Sequence, residues 1–173
     1  DLAIAFGMRV YVTDPFVTIE DAAVLQVPMS KLLAQSDFVV CLAAATQESE
    51  NLMDEAAFAS MQPTAFFINA SRGNLVDETA LLNALNAGHI AGCALDVGRA
   101  PDQMPSPALA RHPKVRATPH IGGLTPQAIE HQSLETVAQI ADIIRGKIPV
   151  GAVNAQQAGR LRTRFPLQPD IAP

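Results

Sequence analysis

The chain has 173 residues, 49% of them hydrophobic and 17% charged, with a net charge of -5. That is ample apolar material for a core, which excludes a disordered polymer, and the acidic balance argues against nucleic acid, whose phosphates call for a basic excess. No apolar run reaches the roughly 20 residues needed to span a bilayer, and no basic-then-apolar leader opens the sequence, so a cytoplasmic protein without a membrane partner is expected.

In chain order, "DLAIAFGM" reads as the last turns of a helix stopped by Gly7, which implies chain upstream of Asp1. "RVYVTD" is strand-like and ends on Asp14-Pro15, and "MSKLLAQS" has a short helical period. "DFVVCLAAA" is a continuous apolar run suited to a strand buried on both faces. "DEAAFASM" is a short helix, and "TAFFINA" a second buried strand. A helix then starts with Asp77 as N-cap, carries Leu81, Leu82 and Leu85 on one face, and stops at Gly88. "IAGCALDV" is a third buried strand, residues 98 to 113 are irregular and proline-rich, and "KVRATPH" is a short last strand. Thr125-Pro126 opens the longest helix, with Ile129, Leu134, Val137, Ile140 and Ile144 as its apolar stripe and Gly146 as its stop. Arg160, Arg162 and Arg164 read as a solvated tail. Cys41 and Cys93 lie in apolar runs, as free buried thiols do in a reducing compartment.

Apolar strands alternating with helices imply an α/β fold, a doubly wound parallel sheet covered on both faces. Ligands bind such sheets beyond the carboxyl ends of the strands. Asp14, Thr46, Arg72, Asp96 and His120 stand at those exits. A strand-terminal Asp14 can accept bonds from ribose hydroxyls and repels a 2′-phosphate, which favours NAD over NADP; the same dipeptide equally makes an ordinary turn. Arg72 can hold a carboxylate through two parallel charge-assisted bonds. His120, in "TPHIGG", suits proton exchange near neutral pH, and the glycines after it admit a close ligand. Each of these alone is weak. The spacing of the four histidines suggests no metal site.

The runs "INASRGNLVDETALLNALNAGHIAGCALDV" and "ATPHIGGLTPQAIE" together resemble the cofactor domain of the D-isomer-specific 2-hydroxyacid dehydrogenases, over roughly residues 1 to 150. The resemblance implies a Rossmann-like domain over residues 1–150 and a tail, 151–173, returning to a substrate domain. It implies a homodimer that binds NAD and passes a hydride to or from a small 2-hydroxy or 2-oxo acid. Arg72 would bind the substrate carboxylate and carbonyl, and His120 would be the general acid/base. Asp96 would hold the nicotinamide carboxamide, and Asp14 the ribose. Ala43, Ala44 and Ala45 would line the adenosine side; Ala70, Ser71, Gly122 and Gly123 would approach the nicotinamide.

Two departures from the family pattern stand out. The glutamate that pairs with the family's histidine falls at Pro101, so Asp102 is expected to take its place, with Gln103 the weaker candidate by analogy with formate dehydrogenases. No G-x-G-x-x-G turn occurs among the 173 residues, so a sheet lacking its first strand is expected, with two strands exposed beside the gap and low activity for the chain by itself. Corepressors that resemble the family, with the same fold as an NAD-sensing scaffold, and an inactive fragment are the competing expectations.

Overall fold

The computed structural model describes residues 2–152 and 155–164. The chain divides into two compact units, Asp1–Gly122 and Gly123–Pro173. The division by internal contacts thus falls after Gly122.

The first unit is an α/β structure built on short parallel strands. After α1 (Leu2–Ala5), β1 (Val10–Val12) pairs in parallel with β2 (Val24–Gln26) as a separate two-stranded ladder. The sequence pattern gave no sign of β2, because three residues of which two are exposed leave no alternation to read. Next come α2 (Met29–Gln35), β3 (Phe38–Cys41), α3 (Glu55–Ala59), β4 (Phe66–Asn69), α4 (Glu78–Ala87), β5 (Gly92–Leu95), α5 (Pro107–Ala110) and β6 (Val115–Ala117). The last four strands form one parallel sheet in the order β3-β4-β5-β6. Their register puts Cys41, Asn69, Leu95 and Ala117 in one row, so the four strands end together.

The core lies on one face of this sheet. Val39, Cys41, Phe67 and Leu95 point into it and meet Phe58 of α3 and Leu81 and Leu85 of α4, all buried. Phe58 stands edge-on to Phe67 at 5.3 Å. Burying each such side chain contributes about 1.5–3 kcal/mol. Asp77 caps α4 by accepting from the Thr79 and Ala80 amides, and Gly88 ends it in the left-handed region, as the sequence pattern predicts.

The expectation of strands buried on both faces is corrected for β3 and β4. Phe38, Val40 and Phe66 are exposed, because α3 and α4 supply apolar partners on one side only. Phe38 and Phe66 stack on each other at 5.9 Å over the other face, beside a cleft of about 320 Å³. That cleft lies on the flat of the sheet, away from the row of strand ends. Cys41 and Cys93 are free and buried, and burial pushes the Cys93 thiol up to about 12.

In the second unit, α6 (Pro126–Ile144) is capped by Thr125, whose hydroxyl accepts from the Ala128 amide, and Gly146 follows it at φ 73°. Its stripe of Ile129, Leu134, Val137, Ile140 and Ile144 is exposed. A short α7 (Gly159–Arg164) follows; the expected tail beyond Arg164 lies outside the described residues. Among the described residues no helix is long and apolar enough to cross a membrane.

Candidate active site

Arg72 owes its place to Asn69. This asparagine closes β4 and is 1% exposed, the one buried polar side chain among the described residues. Its amide nitrogen donates to the Arg72 carbonyl at 2.9 Å, and its Oδ1 accepts from the Ser71 amide at 3.0 Å. Both bonds satisfy the buried group and fold the chain sharply after the strand. The Ser71 hydroxyl donates to the Ala43 carbonyl at 2.7 Å, tying this loop to the one beyond β3. The Arg72 side chain is exposed and donates to the Ser71 carbonyl; among the described residues it has no carboxylate partner. Its fork is therefore open to an anion from outside.

Asp96 plays the same part for the histidine loop. It follows β5, and its Oδ1 accepts from the Thr118 hydroxyl and from the Ile121 amide at 2.9 Å. Its Oδ2 accepts from the Gly122 amide at 2.7 Å. Burial raises the Asp96 carboxyl, but the Thr118 hydroxyl, the two amides and the charge of a protonated His120 outweigh it and hold the group below its ordinary range. Gly122 is required by this contact, since a Cβ there would stand 2.8 Å from Oδ2. The bonds wrap the chain around His120, which sits at φ 55°, a conformation that costs a non-glycine residue energy and persists where its surroundings fix it.

His120 and Asp102 are brought together, though not through the carboxylate. The His120 Nδ1 lies 3.1 Å from the main-chain oxygen of Asp102. A carbonyl can only accept, so this contact puts a proton on Nδ1 and leaves Nε2 to meet a ligand. Asp102 and Gln103 are both left-handed, at φ 60° and 57°, which turns that carbonyl inward. No hydrogen bond joins Gln103's side chain to His120 among the described residues.

The remaining expected residues divide between the two ladders. Ala43, Ala44 and Ala45 follow β3, and Ala70 follows β4; with Gly122 they give the rim of strand ends small side chains, mostly exposed. Asp14 lies beyond β1 in the other ladder, half-buried, where its Oδ1 accepts from the Phe16 and Val17 amides as an aspartate turn does. Its Oδ2 has no donor among the described residues. Gly123 is exposed and opens the second unit. Asn69, Thr118 and Arg99 were not singled out by the sequence pattern. A lone asparagine closing an apolar run is the signal that could have revealed the first.

The family of D-isomer specific 2-hydroxyacid dehydrogenases, in its NAD binding domain, matches residues 1–122. The chain is 34% identical over 153 residues to D-3-phosphoglycerate dehydrogenase of Bacillus subtilis, covering 87% of this chain and 29% of that protein. It is 40% identical over 132 residues to glyoxylate/hydroxypyruvate reductase B of Citrobacter koseri, covering 76% of this chain and 40% of the relative. A solved D-isomer specific 2-hydroxyacid dehydrogenase from Lactobacillus delbrueckii ssp. bulgaricus, in its NAD complexed form, superposes with a TM-score of 0.76 at 28% identity, over 88% of this chain and 51% of that one. The chain thus spans well under two thirds of these proteins. From the row of strand ends to the "SRG" and "PHIGG" loops, this is a Rossmann-like chain that belongs to the D-isomer specific 2-hydroxyacid dehydrogenases and matches their NAD binding domain.

Proposed function

We propose that the protein carrying this chain is an NAD-dependent oxidoreductase that interconverts a small D-2-hydroxy acid and its 2-oxo acid. The observation that carries the reading is the His120 Nδ1 contact with the Asp102 carbonyl, which frees Nε2 beyond the strand ends for proton exchange. Arg72, exposed and without an acid partner among the described residues, supports it as the carboxylate-binding group.

NAD fits the residues present. Asp14 has a free carboxylate oxygen for ribose hydroxyls, Ala43–Ala45 and Ala70 leave room along the rim, and Ser71 and Gly122 offer backbone and small side chains to a flat ring. Asp96, with Oδ2 bonded once, keeps capacity for a carboxamide donor. When bound, NAD supplies or accepts the hydride. Arg72 then holds the substrate carboxylate and polarises its carbonyl. As the 2-oxo acid is reduced, a hydride adds at C2, the carbonyl π pair moves to oxygen, and the Nε2 proton of a protonated His120 completes the hydroxyl. Oxidation reverses each step, with neutral His120 taking the proton. The parent on this reading is a cytoplasmic homodimer, a state that light scattering of the full-length protein tests.

The test is turnover of the full-length protein with NADH and a panel of glyoxylate, hydroxypyruvate and 3-phosphohydroxypyruvate, the 2-oxo acids suggested by the relatives' names. His120→Gln is expected to lower kcat/KM by about 10²–10⁴-fold. Arg72→Lys, which loses the fork, raises KM. Undiminished turnover of His120→Gln sinks the reading.

A further inference from the structure

The loop that presents the Asp102 carbonyl is held by a residue outside the machinery described so far. We infer that Arg99 is a positioning residue: by fastening residues 98–104 to the Arg72 loop, it sets the main-chain oxygen that orients His120, in place of a carboxylate. The inference deepens the reading above, in that it says how the proposed acid/base is held.

Arg99 lies within bonding distance of five acceptors from neighbouring segments. Its own amide donates to Glu78 Oε1 at 2.8 Å, and its Nε donates to the Val76 carbonyl at 3.0 Å. Its Nη2 donates to the Asn74 carbonyl at 2.9 Å and to Asn51 Oδ1, and it pairs with Glu50 at 2.9 Å. Every one of these partners lies either just after Arg72, in residues 74–78, or in the 50–51 turn against it. Asn51 itself is left-handed, at φ 55°. It is joined to the same segment by its amide, which donates to the Asn74 carbonyl at 2.9 Å.

Beyond Arg99 the chain closes on itself. The Gly98 amide donates to the Gln103 carbonyl at 2.8 Å, and the Ala100 amide to the Met104 carbonyl at 3.1 Å. Gly98 lies so close to Pro105 that a Cβ would stand 2.5 Å from its Cα, and a Cβ on Gly73 would stand 2.1 Å from the Gly98 oxygen. The Arg72 loop, Gly98 and Pro105 therefore stack backbone on backbone. Two successive left-handed residues, Asp102 and Gln103, are strained and persist only where the surroundings over-determine them. Arg99, at the root of the loop, is the charged anchor that does so. The Asp102 carboxylate makes no hydrogen bond or ion pair among the described residues and is exposed, so the partner of His120 is backbone that no change of the Asp102 side chain removes.

The test reads the histidine ring by long-range ¹H–¹⁵N correlation on the 173-residue chain, with His120→Gln to assign the signal, at a pH where the ring is neutral. The expected result is His120 held with its proton on Nδ1, the form a free histidine side chain disfavours. Asp102→Asn leaves that unchanged. Arg99→Ala shifts the ring toward the Nε2-protonated form, and Glu50→Gln, a milder loosening of the same clamp, shifts it the same way by less. Backbone amide spectra show whether each variant keeps its fold. Should Arg99→Ala unfold, Glu50→Gln and Asn51→Ala carry the test.

An unmoved tautomer in every folded clamp variant overturns the role of Arg99. A shift in Asp102→Asn overturns the carbonyl as partner and returns it to the carboxylate. In the full-length protein, Arg99→Ala is expected to lower kcat by about 10–100-fold, by analogy with loss of the partner that orients a metal-ligating histidine. Full activity of His120→Gln would sink the dehydrogenase reading while leaving the tautomer result standing, so the two failures are distinguishable.

Discussion

The loops beyond β4, β5 and β6 and the turn beyond β1 use the same device in different settings. In each, a polar side chain at a strand end ties down loop backbone, its own or that beyond a neighbouring strand. Asn69, itself buried, does so above a sheet whose inner face is packed with Phe67, Leu85 and Leu95, whereas Asp96 holds the loop beyond β6 through exposed bonds. Beyond β1, Gln26 donates to the Asp14 and Val17 carbonyls and accepts from the Ile19 amide, equally well bonded, yet no described residue before Leu33 is buried. Hydrogen bonds over a dry core are costly to break because water does not replace them, whereas exposed ones exchange with solvent at little net cost. The comparison separates a half of the site that is organised in advance from a half whose shape rests on what surrounds it.

The largest expected difference is in packing. Leu85→Ala, emptying a fully buried position on α4, lowers stability by about 2–5 kcal/mol. Leu25→Ala, on exposed β2, changes it by less than about 0.5 kcal/mol. Urea melts of the chain give both values, and equal losses would erase the distinction drawn above. A middle-sized effect is expected at the pins themselves. Asn69→Ala leaves the Ser71 amide and the Arg72 carbonyl without their partner and costs about 1–3 kcal/mol. Gln26→Ala costs a fraction of that, and hydrogen exchange at Ser71 and Ile19 compares them directly.

The smallest effect is one of pH. The folded Asp96 carboxyl is held below its unfolded value, so its stabilisation is full above the ordinary carboxyl range and is lost as pH falls through the depressed folded value. Exchange protection of the Ile121 and Gly122 amides is therefore expected to survive mild acid and fail at lower pH. Asp96→Asn removes that acid limb. An acid limb that persists in the variant assigns it to another group.

The sequence announced those elements whose physics is local. Asp77 and Gly88 bound α4 because a cap and a left-handed stop are single-residue effects, and Thr125-Pro126 opens α6 for the same reason. Arg72 and His120 were legible from two long motifs and their places after apolar runs. Less legible was anything that depends on what packs opposite: the apolar run of β3 reads as buried on both faces, but whether a second layer covers Phe38 and Val40 is not written in the run itself. Asp102 was expected to meet His120 and does, but through its carbonyl. Side-chain identity carries no information on which way a main-chain oxygen turns; two left-handed residues in succession decide it.

Gly98 extends this reasoning to inheritance. It touches no proposed ligand, and a catalogue of binding residues would pass over it. Yet any side chain there would press on Met104 and Pro105, displacing the turn and, with it, the oxygen that aims His120. On the function proposed above, selection would then purge replacements at a position two residues past Asp96 as firmly as at the histidine, and the seven residues from Gly98 to Met104 would pass from ancestor to descendant as one block.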